Sequence, residues 1–99
     1  MLALESDTIL ALEEGIVLHS LPDQDHFFAF SVITGDEFGL NRTSFWVLEA
    51  IGGGVQWSEL KSSFLKTFEV VTVRGESDLR ALIEQFYNEK IIRRRDNGN

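Results

Sequence analysis

Two histidines and two aspartates near one another are the side chains in this sequence that could bind a metal ion. His19 and His26 have Asp23 and Asp25 between them. A zinc site needs three or four ligands, each oriented by further contacts, and two histidines beside a turn are a weak basis for one. We therefore expect ordinary hairpin residues at these positions, and neither a metal site nor a cofactor.

No side chain in the sequence has the local context of a catalytic nucleophile. The chain has no cysteine, which excludes a thiol nucleophile, a thiolate metal site and a disulfide framework. The carboxylate pairs Glu13-Glu14 and Asp36-Glu37 are typical of solvated turns. The serines lack a G-x-S-x-G motif and an obvious histidine base: Ser31, Ser44, Ser58, Ser62 and Ser63. We expect that the protein is not an enzyme.

Two short runs could contact phosphate or an acidic surface. Gly52–Gly54 lacks the Lys and Ser or Thr that follow the glycines in a phosphate-binding loop, so we interpret it as a turn after a helix. Arg93–Arg95 is interpreted as part of a polar C-terminal tail. The formal net charge of −7 and the isoelectric point near 4.7 argue against nucleic-acid binding and favour a basic or mixed-charge partner.

The order of hydrophobic patterns predicts three strands followed by three helices. "IVLHSL" before Pro22-Asp23, "HFFAFSVIT" and the short "EFGL" form an antiparallel three-stranded meander, with the middle strand either covered on both faces or at the centre of a small sheet. Asn41 is a favoured cap for a first helix, which ends at Gly52.

The second and third helices are predicted from apolar residues that recur with helical spacing. Trp57, Leu60, Phe64 and Phe68 lie on one face of the second helix, and Leu79, Leu82, Ile83, Phe86 and Tyr87 on one face of the third. "EVVTVRGES" is a connection between these helices, with Ser77 as the cap of the third. We expect one domain over residues 1–99, with a core at about residues 15–92 and flexible ends.

The segments outside this pattern carry no targeting signal. The N-terminal ten residues lack a basic region and a long apolar run, and no stretch approaches the ~20 apolar residues of a membrane span. We expect a cytoplasmic protein with no membrane partner.

Three segments of the chain resemble the PqqD-like family, the small recognition domains (RRE domains) for ribosomally made, later modified precursor peptides (RiPPs). These are "FGLNRTSFWVLEAIGGG", "VQWSELKSSFLKTF" and "SDLRALIEQFYNEKII". The family pattern corresponds here to Leu40-Asn41, Trp46, Gly52–Gly54, Leu60 with Phe64, and Leu82 to Phe86 closing on Lys90-Ile91-Ile92. The Lys-Ile-Ile closure, where the family has Gly-Leu-Leu, and the long "EVVTVRGES" depart from the pattern.

The resemblance implies an α+β, winged helix-turn-helix-like fold and a non-catalytic function. Such a domain binds the leader segment of a precursor peptide and presents it to a modifying enzyme, often a radical SAM enzyme. The leader adds as an extra strand beside the third strand, in a groove whose other wall is the third helix. The family serves quinone-cofactor (PQQ), lasso-peptide and other pathways, and the sequence leaves the pathway open.

Carried to this sequence, the resemblance predicts peptide-binding residues on the edge of the third strand and on the third helix. We expect Leu82 and Phe86 in the core, and Arg42 and Arg80 as charge partners of an acidic leader. The predicted peptide-binding residues are Asp36, Glu37, Phe38, Gly39, Leu40, Leu79, Arg80, Ile83 and Tyr87.

Two other functions share the same predicted elements. A winged-helix DNA-binding regulator would use the third helix for recognition, but residues 76–90 carry four acidic and two basic side chains. A dimerising interaction domain would pair the third strand with its copy in a second chain, because unprotected strand edges invite such pairing. The protein is accordingly expected to be a monomer or a homodimer.

Overall fold

The computed structural model describes residues 2–69 and 72–95 of the 99-residue chain. A short 3-10 turn at Pro22–Gln24 separates the second and third strands. The elements in chain order are β1 (Ile9–Leu12), β2 (Ile16–Leu21), β3 (His26–Ser31), β4 (Glu37–Leu40), α1 (Arg42–Ile51), β5 (Val55–Gln56), α2 (Trp57–Phe68), α3 (Thr72–Asn88) and β6 (Ile92–Arg95).

The first sheet is the predicted meander, antiparallel with the order β2-β3-β4. Phe27, Ala29 and Ser31 of β3 are buried, whereas the alternate residues Phe28 and Phe30 are only half-buried. The middle strand therefore lies at the centre of a small sheet, which is one of its two predicted positions, and the alternative of cover on both faces is wrong. The α+β class and the order of a three-stranded sheet followed by three helices are confirmed.

β3 also ends earlier than the apolar run "HFFAFSVIT" indicated. The Ser31 hydroxyl accepts hydrogen bonds from the backbone N–H groups of Ile33 and Thr34 at 3.2 and 3.1 Å, which turns the chain out of the strand. Val32 and Ile33 are exposed as a result, at 65% and 66%.

The second sheet was not predicted, and it packs residues 9–12 and 92–95 against the helices. Its order is β5-β1-β6, with β1 paired antiparallel to both neighbours. Leu10 and Ala11 of β1 are buried, so the core begins before residue 15, contrary to the predicted boundary. Arg93–Arg95 belong to β6 and not to a tail. Residues 96–99, the rest of the predicted flexible end, lie outside the described residues.

The start and the end of α1 follow the prediction. The side-chain Oδ1 of Asn41 accepts a hydrogen bond from the backbone N–H of Ser44 at 2.7 Å, which satisfies one of the free donors of the first turn. Gly52 has a φ of 45°, and its N–H donates to the Leu48 carbonyl at the C-terminal end. Few residues other than glycine adopt this backbone conformation at low cost.

The helices α2 and α3 share the main core with β1 and β6. Trp57, Leu60 and Phe64 are buried, as the helical spacing predicted. α3 already begins at Thr72, so the predicted connection is wrong for residues 72–77, and Ser77 lies inside the helix. Val70 and Val71, also in that predicted connection, are outside the described residues. Within the described part of the chain, no helix is long and apolar enough to span a bilayer.

Candidate functional site

β4 is an edge strand of the first sheet, because among the described residues it pairs only with β3. The N–H of Ser31 donates to the carbonyl of its cross-strand partner Asp36 at 2.9 Å. Hydrogen-bonded pairs alternate along an antiparallel ladder, so Phe38 and Leu40 direct their backbone groups toward β3. The N–H and C=O groups of Glu37 and Gly39 then point away from the sheet. They are available to another extended chain.

A cleft of about 440 Å³ lies between this edge and α3, and we call it the edge cleft. Its residues come from β4, from the start of α1 and from the second half of α3. The lining residues are Glu37, Phe38, Gly39, Leu40, Asn41, Ser44, Leu82, Gln85, Phe86 and Glu89.

A second cleft, of about 400 Å³, continues the edge cleft toward α2, and we call it the aromatic cleft. The two clefts share Leu82 and Gln85, so they form one groove along α3. Phe64 and Phe68 line the aromatic cleft with their ring centroids 4.8 Å apart. The other lining residues are Thr43, Asp78, Ala81, Leu82 and Gln85.

Four of the predicted site residues, Glu37 to Leu40, line the edge cleft. A side chain at Gly39 would meet no other atom within 4 Å, so a second backbone can approach the strand at this point. Asp36 does not line either cleft. Its carboxylate accepts a hydrogen bond from the Thr34 hydroxyl at 3.0 Å, within the turn between β3 and β4.

The predicted orientation of α3 is wrong at Leu79 and Ile83, which were expected near the groove and are fully buried in the core. Leu82, expected in the core, is half-buried: it packs against the core and also lines both clefts. Phe86 is buried as predicted and also borders the edge cleft. The apolar stripe of this helix is wider than its contact with the core, so periodicity alone did not show which members lie at the margin.

Tyr87 and Arg80 also lie outside the groove. Leu82 and Tyr87 are about 140° apart around the helix at about 100° per residue, so they flank the buried stripe on opposite sides. Tyr87 borders a different cleft, together with Lys90, Arg93 and other residues. Arg80 lies over the ring of Trp57, 5.1 Å from its centroid. Neither residue lines either of the two clefts that form the groove.

Arg80 and Arg42 were predicted to pair with an acidic leader, but both form ion pairs within the protein. Arg80 Nε donates to Glu76 Oε2 at 3.0 Å, and this hydrogen bond, together with the charge of Lys61, lowers the pKa of Glu76. Arg42 Nη2 is 2.7 Å from Asp25 Oδ1, and its guanidinium lies over the Phe27 ring. Both arginines are thus engaged by other groups.

The sequence did not point to several groove residues on α1 and α3. Gln85 and Glu89 lie one and two helical turns after Leu82, on the same side of α3. Their positions follow from that of Leu82 by helical spacing. A prediction that placed Leu82 at the groove would therefore have identified both of them. Thr43 and Ser44 line the groove because α1 begins directly at the end of β4.

The two histidines lie against an aromatic ring on the outer face of the first sheet. The ring centroids of His19 and His26 are 5.0 and 5.5 Å from that of Phe28. Across residues 2–69 and 72–95, no group of three or more His, Asp or Glu side chains could hold a metal ion.

Two solved structures share this architecture. The fold matches TbiB1 in complex with the TbiA(beta) leader peptide with a TM-score of 0.67, at 19% identity over 83% of this chain and 93% of the other. It also matches the PqqD truncation of Methylobacterium extorquens PqqCD, a stand-alone RiPP recognition element, with a TM-score of 0.71, at 15% identity over 93% and 96%.

Comparison of sequences alone finds no such match. No protein-family model and no curated protein matches the chain. The resemblance noted in the sequence therefore depends on the structural comparison for its support. The chain has the fold of the PqqD-like recognition elements.

Proposed function

We propose that this domain binds the leader segment of a ribosomally made precursor peptide as an added strand on β4 and has no catalytic function. The observation that carries the proposal is the unpaired edge of β4, with the backbone groups of Glu37 and Gly39 directed outward beside a cleft of mixed polar and apolar lining. Main-chain hydrogen bonds would hold the leader, and alternate leader side chains would enter the groove. Leu82 and Phe86 would form its opposite wall.

The structural neighbours support this function. TbiB1 has the same fold and was solved with a leader peptide, and the PqqD truncation is described as a functional recognition element. By analogy, the domain would present its leader to a modifying enzyme such as a radical SAM protein. A cytoplasmic location is part of the proposal, since precursor peptides are made there.

A titration of the isotope-labelled domain tests the binding mode. The titrant is the leader of each short peptide that the neighbouring genes encode, and the measurement is the change in backbone amide NMR shifts. We expect shifts at residues 37–41 and 82–89, because these residues border the edge cleft. Shifts confined to other surfaces would contradict strand addition at β4.

The same edge also supports a second candidate, a homodimer formed by pairing of β4 with its copy in another chain. Edge strands with free N–H and C=O groups readily form such pairs. Sedimentation at several protein concentrations separates the two candidates. A monomer throughout is expected for a peptide-binding domain, and a dimer that dissociates when peptide is added would show that the two partners compete for the edge.

A further inference from the structure

The charged residues that line the groove are all acidic. Glu37 and Glu89 border the edge cleft, and Asp78 borders the aromatic cleft. None of the described residues lining either cleft is Lys, Arg or His. All three carboxylates belong to exposed residues, so they can meet charges on a bound chain.

Three of the cations near the groove pair with carboxylates outside it. Arg42 adjoins the edge cleft in sequence, but it pairs with Asp25 and covers Phe27. Lys61 and Arg80 both contact Glu76, and Arg80 covers Trp57. Lys90 follows Glu89 and borders the cleft of Tyr87 instead. Arg74 lies one helical turn before Asp78, and none of the ion pairs among the described residues involves Glu37, Asp78 or Glu89.

The three carboxylates lie toward the two ends of the groove. Residues of β4 line the edge cleft together with Glu89, and Thr43 of α1 lines the aromatic cleft together with Asp78. Along the groove, α3 therefore runs in the direction opposite to β4. Glu37 and Glu89 are thus at one end and Asp78 at the other. The distance from Asp78 to Glu89 along the helix is about 16 Å. An extended chain covers this length with about five residues.

We infer that the groove binds an extended segment that directs apolar side chains toward α3 and carries basic residues at its two ends. The inference rests on the proposed strand addition at β4 and names the class of segment that it takes. Alternate side chains on one face would pack against Phe38, Leu40 and Leu82. Lys or Arg side chains at the ends of the segment would meet the three carboxylates. This reverses the expectation of an acidic leader paired with Arg42 and Arg80.

Peptides of designed sequence test this inference without knowledge of the natural leader. The Lys peptide has about five residues of alternating Val and Thr between two Lys residues at each end, enough to extend beyond the groove. The Glu peptide has Glu in place of Lys, and both have blocked termini. The two probes share the same middle segment, so only the sign of the charge at their ends differs.

Dissociation constants and amide shifts are measured for both peptides. We expect the Lys peptide to bind roughly tenfold more tightly than the Glu peptide, the size of effect that a few exposed ion pairs produce. The preference should disappear in the variant Glu37→Gln/Asp78→Asn/Glu89→Gln. The matched control is Asp7→Asn/Glu14→Gln/Glu49→Gln, which removes the same charge from exposed residues outside the groove and should keep the preference.

The possible failures are distinguishable. Equal or tighter binding of the Glu peptide, with shifts at β4 and α3, would overturn the inference and leave strand addition intact. If both triple variants lose the preference for the Lys peptide equally, the preference comes from the net charge of the protein, and the inference is also overturned. If neither peptide shifts the amides of residues 37–41 and 82–89, the inference and the proposed function both fail.

Discussion

Gly39 combines two properties that a docking strand requires. Its backbone groups point away from β3, and no atom occupies the space where a side chain would be. A bound chain can therefore approach the strand closely here and form main-chain hydrogen bonds. The half-buried ring of Phe28, the cross-strand partner of Gly39, would lie beside a large side chain of the bound chain.

Replacement of Gly39 by proline removes the outward N–H without breaking a hydrogen bond to β3. We expect Gly39→Pro to weaken binding of the Lys peptide about tenfold, since one hydrogen bond is lost and the ring obstructs the edge. The matched control Gly39→Ala keeps the N–H and should bind within about twofold of the wild type, because its methyl group meets no neighbour. Fluorescence anisotropy measures both. Equal affinities for the two variants would contradict hydrogen bonding at this residue.

Leu82 and Ile83 are neighbours in sequence with different roles. Ile83 is fully buried, so Ile83→Ala should lower the free energy of unfolding by about 2–5 kcal/mol. Leu82 borders the groove, so Leu82→Ala should cost less stability and weaken peptide binding. Urea unfolding and peptide titration of both variants provide the comparison. A larger stability loss for Leu82→Ala, with binding unchanged, would place Leu82 in the core after all.

Glu76 accepts a hydrogen bond from Arg80 and lies 3.5 Å from Lys61 Nζ. Its pKa is lowered from the ordinary value of 4.5, mainly by the Arg80 hydrogen bond, so folding favours its charged form. This stabilisation is fully present above pH 4.5 and is lost as the pH falls through the lowered pKa.

The variant Glu76→Gln should therefore melt below the wild type at neutral pH, and the difference should vanish at pH values below that pKa. Thermal melts across the acid range measure it. Glu49→Gln, at an exposed residue with no resolved pKa shift, is the control. A difference that persists in acid would indicate that the glutamine itself disturbs the helix.

At the scale of elements, β1 is the central strand that attaches β5 and β6 to the core. It pairs with β5 on one side and β6 on the other, and Leu10 is completely buried against the helices. The N–H of Trp57 also donates to the Thr8 carbonyl at 2.7 Å, just before β1. The second sheet is thus part of the structure that positions α2 and α3, which carry most of the groove's opposite wall.

Truncation of Leu10 to alanine tests this role of β1. We expect the free energy of unfolding to fall by about 2–5 kcal/mol, because a cavity opens in the shared core. Leu21→Ala in β2, where the side chain is 40% exposed, should have a clearly smaller effect. Chemical denaturation followed by circular dichroism measures both variants. Similar losses for the two variants would show that β1 contributes little to the core.

At the scale of the whole molecule, the formal charge of −7 separates peptide binding from DNA binding. Non-specific DNA affinity comes from basic side chains that neutralise phosphates and release counterions. We expect no retarded band in a mobility shift with duplex DNA even at low salt. A basic winged-helix protein under the same conditions is the positive control. A retarded band that disappears as salt is raised would revive the DNA-binding alternative.

The sequence by itself determined the elements whose causes are local. Asn41 caps α1 and Gly52 ends it, the meander follows from short apolar runs between turns, and one face of α2 is marked by Trp57, Leu60 and Phe64. It also determined the acidic charge and the resemblance to the PqqD-like family. Each of these depends on a residue type or on spacing within a few positions.

Only the tertiary structure decided the second sheet and the composition of the groove. β1 becomes a strand by pairing with residues near 55 and 92–95, and "ILAL" has no local feature that reveals distant partners. Leu79, Leu82 and Ile83 are equally apolar, and the direction from which the core packs on α3 selected Leu82 for the groove. Burial is a property of the assembled fold, so a broad apolar stripe cannot specify it residue by residue.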